Sequence, residues 1–326
     1  VNPALPESAA GPLLHALRQR AALNTLIRRF FAQRDVLEVE TPILSAAGNT
    51  EPNIDSFHTD FSGHRDAGAR RRWLRTSPEF PLKRLLAAGV GDCYELGRVF
   101  RNGEAGGRHN PEFTMLEWYR VGWDHHRLLQ ETAALVREAL ALVGRAATLE
   151  VIDYRSLYLQ RVGVDPFAAS IAELRLPLAG VQIDAAGLGR DDWLDLLMTH
   201  CIQPGFDDTV MTVVHDWPAS QAALARIRDD TPPRAERFEL YLGAVELANG
   251  YHELGDAAEQ RARFETDHAR RQARGDVLPP LDEALLAALP AMPACAGVAV
   301  GVDRLLMAMA RTPRIADVLA FDFSRA

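Results

Sequence analysis

Phe100-Arg101-Asn102-Gly103-Glu104-Ala105-Gly106-Gly107-Arg108-His109-Asn110-Pro111-Glu112-Phe113-Thr114-Met115-Leu116-Glu117-Trp118-Tyr119 is the densest polar segment of the chain, flanked by strand-like runs at 93–100 and 113–119. Two strands joined by a glycine-containing loop place Arg101 near Phe113 and project Arg108 and His109 from the loop. Such a hairpin can clamp a nucleotide, because a guanidinium forks onto phosphate oxygens and an aromatic face supports a purine. A solvated hairpin with incidental charges fits the segment equally well.

Two further segments share this character. Residues 237–253 (RFELYLGAVELANGYHE) hold Glu239, Glu246 and Glu253 on or beside apparent strands. Paired carboxylates are suitable hard ligands for Mg²⁺ beside a polyphosphate, although each acid could equally be exposed. Residues 297–304 (GVAVGVDR) form a small-residue strand that lets a ligand approach the backbone and ends on Arg304; glycine in a strand also marks simple close packing.

Around these segments, residues 13–33 carry Leu17, Leu23, Leu26, Ile27 and Phe30 at helical spacing, and 36–40 alternates as a strand ended by Thr41-Pro42. A strand is expected at 73–76, a short helix at 81–88, an amphipathic helix at 128–143 and a helical insertion near 154–205. Strand character resumes at 238–251, a charged surface helix covers 257–274, and a strand at 298–302 leads into a helix at 303–311. Residues 1–12, rich in Pro, Ala and Gly, read as a flexible tail. Strands separated by long helical connections imply an α+β plan with a mostly antiparallel sheet flanked by helices. No P-loop is present, so an ATP site must be of another kind.

The 326 residues, 48% hydrophobic and 25% charged, suffice for a substantial core. The longest apolar stretch, 284–302, is broken by Pro290, Pro293 and Gly297, so no membrane partner is expected. Cys93, Cys201 and Cys295 are odd in number and far apart, which fits neither a disulfide framework nor a zinc ribbon and points to a cytoplasmic protein. The net charge of −8 weighs against a large nucleic-acid partner. Lys83 is the only lysine. The Arg70-Arg71-Arg72 run reads as a solvated loop, or else as a patch for an acidic partner.

In order, residues 29–42 (RFFAQRDVLEVETP), FRNGE to Phe113 and GVAVGVDR resemble the three signature motifs of class II aminoacyl-tRNA synthetases. Within that class, Thr76-Ser77-Pro78-Glu79, RHNPEFTMLEWY and ELANGYHEL are most similar to lysyl-tRNA synthetases. The resemblance covers the chain from about Leu17 to the end, so 13–326 is expected to be one catalytic domain. It implies ATP as co-substrate with Mg²⁺, and catalysis by Arg101 and Arg304. ATP would be bound by Arg101, Asn102, Gly103, Glu104, Arg108, His109, Asn110, Phe113, Glu246, Leu247, Gly301 and Arg304, and Mg²⁺ by Glu239 and Glu246. The amino acid would meet Ser77, Pro78, Glu79, Glu117, Tyr119, Asn249, Glu253 and Ala299. Acids at the pocket end call for a ligand with a second positive charge, because buried acids left unpaired are costly.

Three departures refine the expectation. No anticodon-binding domain is expected before the first motif. The central glycine of the third motif is replaced by Ala299, and the acid of the second motif stands one place later, at Glu104, behind Gly103. In the first respect the chain is similar to truncated lysyl-tRNA synthetase paralogues that transfer (R)-β-lysine to a lysine side chain of elongation factor P. That resemblance implies a homodimeric ATP-dependent ligase acting on a protein, with lysine or β-lysine as substrate and tRNA not expected as a partner. A minimal lysyl-tRNA synthetase and a catalytically silent lysine- or nucleotide-binding domain are the alternatives.

Overall fold

The computed structural model describes residues 7–326. Two units divide the chain: the first comprises residues up to Gly122 together with Gly255–Cys295 and Ala299–Ala326, and the second Trp123–Leu254 with Ala296–Val298. The first begins with helix α1 (Glu7–Ala32), followed by β1 (Leu37–Glu38), β2 (Leu44–Ser45), β3 (His58–Asp60), β4 (Arg71–Leu74), α2 (Glu79–Ala87), β5 (Cys93–Phe100) and β6 (Glu112–Val121). The second contains α3 (His125–Ala141), β7 (Thr148–Asp153), α4 (Tyr154–Val162), α5 (Ile171–Arg175), α6 (Arg190–Leu197), β8 (Val210–Pro218), β9 (Ile227–Arg228), β10 (Arg234–Leu242) and β11 (Val245–His252). The chain closes with α7 (Ala257–Arg274), α8 (Glu283–Ala288), β12 (Cys295–Gly301) and α9 (Val302–Ala310).

Helix α1 starts at Glu7 and carries Pro12 in its opening turns, so the expected tail over 1–12 is helical from Glu7; residues 1–6 lie outside the described residues. At the sixth residue of the helix, Pro12 forgoes one hydrogen bond to the carbonyl four residues back. Leu23, Leu26, Ile27, Phe30 and Phe31 form the buried stripe of α1, and Phe31 stacks on Tyr94 of β5, with ring centroids 4.4 Å apart. β5 pairs parallel with β1 and antiparallel with β6, and β2, β4 and β3 form a separate antiparallel sheet. The Arg70–Arg72 run lies at this small sheet, where Arg72 donates to Ala67 O at 2.8 Å and Arg71 pairs with Asp60 at 3.3 Å.

In the second unit β10 lies antiparallel to β8 and β11, and β8 is parallel to β7. The segment over 154–205 carries α4, α5 and α6 with loops between them. It buries Tyr154, Tyr158, Trp193, Leu194, Leu197 and Ile202 in one cluster with Val214, Trp217 and Tyr241 of the strands. β7 and β8 are absent from the sequence reading because Val210-Met211-Thr212-Val213-Val214 lacks the polar alternation of a half-exposed strand. Met211, Thr212, Val213 and Val214 are all buried.

An ion pair anchors the first unit. Arg75 and Glu95 are both buried; Arg75 Nη1 donates to Glu95 Oε1 at 2.6 Å, Thr41 Oγ1 donates to Glu95 Oε2 at 2.7 Å, and Arg75 Nε donates to Arg98 O at 3.0 Å. A side chain at Gly97 would meet this guanidinium at 2.5 Å, which explains the glycine there. Removing one partner strands a buried charge, whereas removing both does not. Glu95→Ala is therefore expected to cost about 3–5 kcal/mol in urea unfolding of the whole chain, and Arg75→Met/Glu95→Leu to recover most of that loss. Equal losses in the single and double variants would show that the pair does not carry this charge balance.

Candidate active site

The β5–β6 register sets Val99 opposite Phe113 and Phe100 opposite Glu112, and Arg101 N donates to Pro111 O at 2.8 Å. Arg101 thereby lies over the ring of Phe113, with Cζ 5.2 Å from the centroid. Its Nε is buried without a hydrogen-bond partner, and the carboxylate of Glu104 stands 3.8 Å from Nη1. Gly103 has φ +83, a left-handed turn that returns Glu104 towards Arg101, so the displaced acid still accompanies the arginine. Arg108 and His109 are exposed on the loop, and Arg304 Nη2 lies 2.7 Å from His109 Nε2. Arg304 can only donate, so in this contact His109 Nε2 is the acceptor. Asn110 is committed within the chain: Nδ2 donates to Glu112 O at 2.6 Å, and Oδ1 accepts from Phe323 N at 2.8 Å.

The first unit also holds most of the expected amino-acid residues. Pro78 precedes α2, Glu79 opens it, and Glu79 N donates to Ser77 Oγ at 3.0 Å. Lys83, one turn on and fully buried, donates to Glu79 Oε1 at 2.5 Å. On β6, Glu117 and Tyr119 are both buried, and the Tyr119 hydroxyl donates to Glu117 Oε1 at 2.7 Å. Along β12, Ala299 and Gly301 are partly exposed whereas Val298 and Val300 are buried, so the small residues share one strand face. Gly301 caps α9, whose third residue is Arg304.

In the second unit, Glu239 pairs with Asn249 across β10 and β11, while Tyr241 pairs with Glu246. A bulge lies between Leu240 and Tyr241, where the partner skips from Ala248 to Glu246 and leaves Leu247 unmatched and buried. Strict alternation would send Glu246 to the face opposite Asn249; the extra residue returns it to the same face. Leu247 can then offer a ligand only its backbone. Glu239 is buried, with Arg237 donating to Oε1 and Tyr241 to Oε2. Arg237 Nε also donates to Asn249 Oδ1 at 3.2 Å, and Asn249 Nδ2 to Tyr251 Oη at 3.0 Å. Burial pushes the Glu239 carboxyl up to about 7; Arg237 opposes this and the Glu246 charge adds to it. Two hard oxygen ligands whose mutual repulsion raises one pKa fit a divalent cation, which would relieve it. Glu253 is buried just past β11, in a bridge with Ala225.

The sequence model of the tRNA synthetases class II (D, K and N) matches residues 11–325. The chain belongs to this family. Its curated relatives include proteins named elongation factor P–(R)-β-lysine ligase from Vibrio cholerae serotype O1 and from Vibrio vulnificus. They are 48% and 46% identical to it over 314 residues, covering 95% of this chain and 96% of theirs. A protein of the same name from Salmonella arizonae is 45% identical over 316 residues, 95% of each chain.

The synthetase motifs leave out several residues on which this geometry leans. Arg237 and Tyr241 flank Glu239 at i±2, a spacing that puts all three on one face of a strand and is legible in the sequence. Arg271 carries no such signal. From α7 its buried guanidinium donates to Thr50 O at 3.0 Å, Glu51 O at 2.6 Å, Ile54 O at 2.7 Å and Asp55 Oδ1 at 2.9 Å. Asp55 O in turn accepts from Asn102 N at 2.8 Å, so Arg271 steadies the start of the nucleotide loop.

The raised pKa of Glu239 makes its ionisation a cost to the fold. That cost is absent below the unfolded value near 4.5, accumulates as pH rises, and is complete above about 7. In metal-free buffer the stability of the wild type relative to Glu239→Gln should fall across that window by up to roughly 3 kcal/mol, read as a difference in calorimetric Tm. Adding Mg²⁺ above the window should reverse it. A pH-independent difference would exclude Glu239 as the titrating group.

Proposed function

We propose that this chain is an ATP-dependent ligase that activates (R)-β-lysine as an aminoacyl-adenylate and transfers it to a lysine side chain of elongation factor P. The observation that carries the ATP chemistry is Arg101, held over Phe113 with a buried, unpartnered Nε. A buried donor without a partner is costly unless a ligand supplies one, and an anion is the fitting ligand for a guanidinium. The amino acid and acceptor come from relatives 45–48% identical over nearly their whole length, whose names specify both.

In this reaction Arg101 holds the α-phosphate and the substrate carboxylate and offsets the charge that grows as a carboxylate oxygen attacks phosphorus and pyrophosphate departs. Phe113 and Arg304 sandwich adenine; Asn102, Gly103, Glu104, Arg108, His109 and Asn110 shape the loop around ATP, and Gly301 and the Leu247 backbone border it. Glu239 and Glu246 hold Mg²⁺, which neutralises the polyphosphate when bound. Glu79 receives one ammonium group of the substrate, with Ser77 and Pro78 fixing its helix start. Glu117, Tyr119, Glu253 and Asn249 receive the other, and Ala299 trims the pocket by one methyl. In the second step the deprotonated acceptor amine attacks the acyl carbon of the mixed anhydride, AMP leaves with the bonding electron pair, and the amine proton passes to solvent. We further propose that the enzyme works as a cytoplasmic homodimer. The first-motif segment exposes Leu37, Ile43 and Leu44, apolar side chains that a second copy would cover.

Exchange of labelled pyrophosphate into ATP tests the activation step. It is expected to require Mg²⁺ and a lysine isomer, to run faster with (R)-β-lysine than with α-lysine, and to drop about 100–1,000-fold in Arg101→Ala. No exchange with either isomer would overturn the reading. The transfer step should accelerate as pH rises through neutrality, because the acceptor amine, with a pKa near about 10.4, is the nucleophile only when neutral. A rate flat in pH would make the acceptor something other than an amine.

A further inference from the structure

Six side chains of the second unit gather away from the carboxylates described above. His125 and His126 open α3, His215 and Asp216 end β8 beside its bulge, and Glu236 and His252 lie on β10 and β11. Within this group, one ligand atom each from His125, His126, His215 and Asp216 falls within 4.8 Å of all the others. His125 is almost completely buried; its Nδ1 has no hydrogen-bond partner, and its Nε2 faces Asp216 Oδ1 at 3.4 Å, too long for a well-formed hydrogen bond. A buried imidazole nitrogen without a partner is costly, and such an orphan calls for a ligand. Asp216 adds a second mark: it is a non-glycine residue at φ +59, turned by the β8–β10 irregularity so that its carboxylate meets both imidazoles, His125 Nε2 at 3.4 Å and His215 Nδ1 at 3.5 Å.

We propose that His125, His126, His215 and Asp216 form a four-coordinate site for a divalent transition metal of the zinc class, clamping the start of α3 to the end of β8. Three imidazoles and one carboxylate are the borderline-soft donor set such ions take, and tetrahedral bonds of about 2.0–2.1 Å bring ligand atoms to within about 3.4 Å of each other. The observed spread closes to that with small ring rotations. The rings already face one another: His125 and His126 have centroids 4.0 Å apart, and His126 and His215 5.0 Å.

Asp216 is also engaged by two arginines: Arg228 Nη2 donates to Oδ2 at 3.0 Å and Nη1 to Oδ1 at 3.4 Å, and Arg234 Nη1 stands 3.6 Å from Oδ2, outer contacts of the kind that orient ligating carboxylates. Arg228 is itself balanced by Asp230 at 2.7 Å and Arg234 by Asp230 at 4.0 Å, while Asp124 and Asp153 face the imidazoles from the α3 cap and the end of β7. Four protein ligands leave no open position, so the site is structural. Glu236 and His252 pair at 2.7 Å, and one ligand atom of each also lies within 4.8 Å of His125; their pairing with each other is what sets them apart from the four-residue site.

The test is titration of the untagged, chelator-dialysed full chain with Co²⁺, followed by Zn²⁺. One equivalent of Co²⁺ should give the intense visible bands of tetrahedral coordination, Zn²⁺ should abolish them, and Zn²⁺ alone should raise the Tm. His126→Ala removes an exposed ligand, so the fold and pyrophosphate exchange should persist while Co²⁺ affinity falls by more than about 100-fold. His252→Gln should leave the bands unchanged. Absence of tetrahedral bands at stoichiometric Co²⁺, undiminished affinity in His126→Ala, or loss of the bands in His252→Gln would each overturn the assignment.

Discussion

The buried carboxylate of Asp303 is the constraint on which the placement of Phe113 and Arg304 in the first unit depends. It accepts from the Arg20 guanidinium on α1 and, at 2.7 Å, from the backbone N–H of Thr114 on β6, while standing in the first turn of α9, where a negative charge meets the helix dipole favourably. Arg20 continues the staple to Val318 O at 3.0 Å. Segments separated by 189 and 283 residues thus converge on one side chain. Arg304 follows Asp303 directly, so the carboxylate that fixes α9 also fixes the arginine that reaches His109. Thr114 follows Phe113, so it equally fixes the ring under Arg101.

A similar economy operates in the second unit, where one bulge decides which side chains share a face. Skipping Leu247 turns Glu246 onto the face of Asn249 and Glu239, and Arg237 and Tyr241 donate to the Glu239 carboxylate there. Gly250 serves the same strand pair: a side chain there would collide with the Phe238 ring at 2.4 Å, so the glycine lets the opposing aromatic lie across β11. The family motif therefore encodes its ligands together with the backbone irregularity that aims them.

Much of this was legible in the sequence because the motifs are local. The β5–β6 hairpin, the Ala257–Arg274 helix and the short strand into α9 follow from periodicity, and the order of three motifs gave the family. What stayed hidden is what arises from pairing. Val210–Pro218 is a strand buried on both faces and carries no alternation to read, and the β10–β11 bulge is invisible without the partner's register. Arg271, Arg20 and Asp303 act across long separations, and each alone looks like an ordinary charged residue of a helix. The His125–Asp216 cluster joins two dipeptides 90 residues apart that match no ligand spacing, so only the fold brings them together.

The most direct test of the proposed transfer is the intact mass of elongation factor P from the same organism after incubation with this protein, ATP, Mg²⁺ and (R)-β-lysine. The expected result is the gain of one lysyl unit, dependent on ATP and lost with Arg101→Ala. An unchanged mass, under conditions where lysine-dependent pyrophosphate exchange proceeds, would contradict it and assign the activated lysine to a different acceptor.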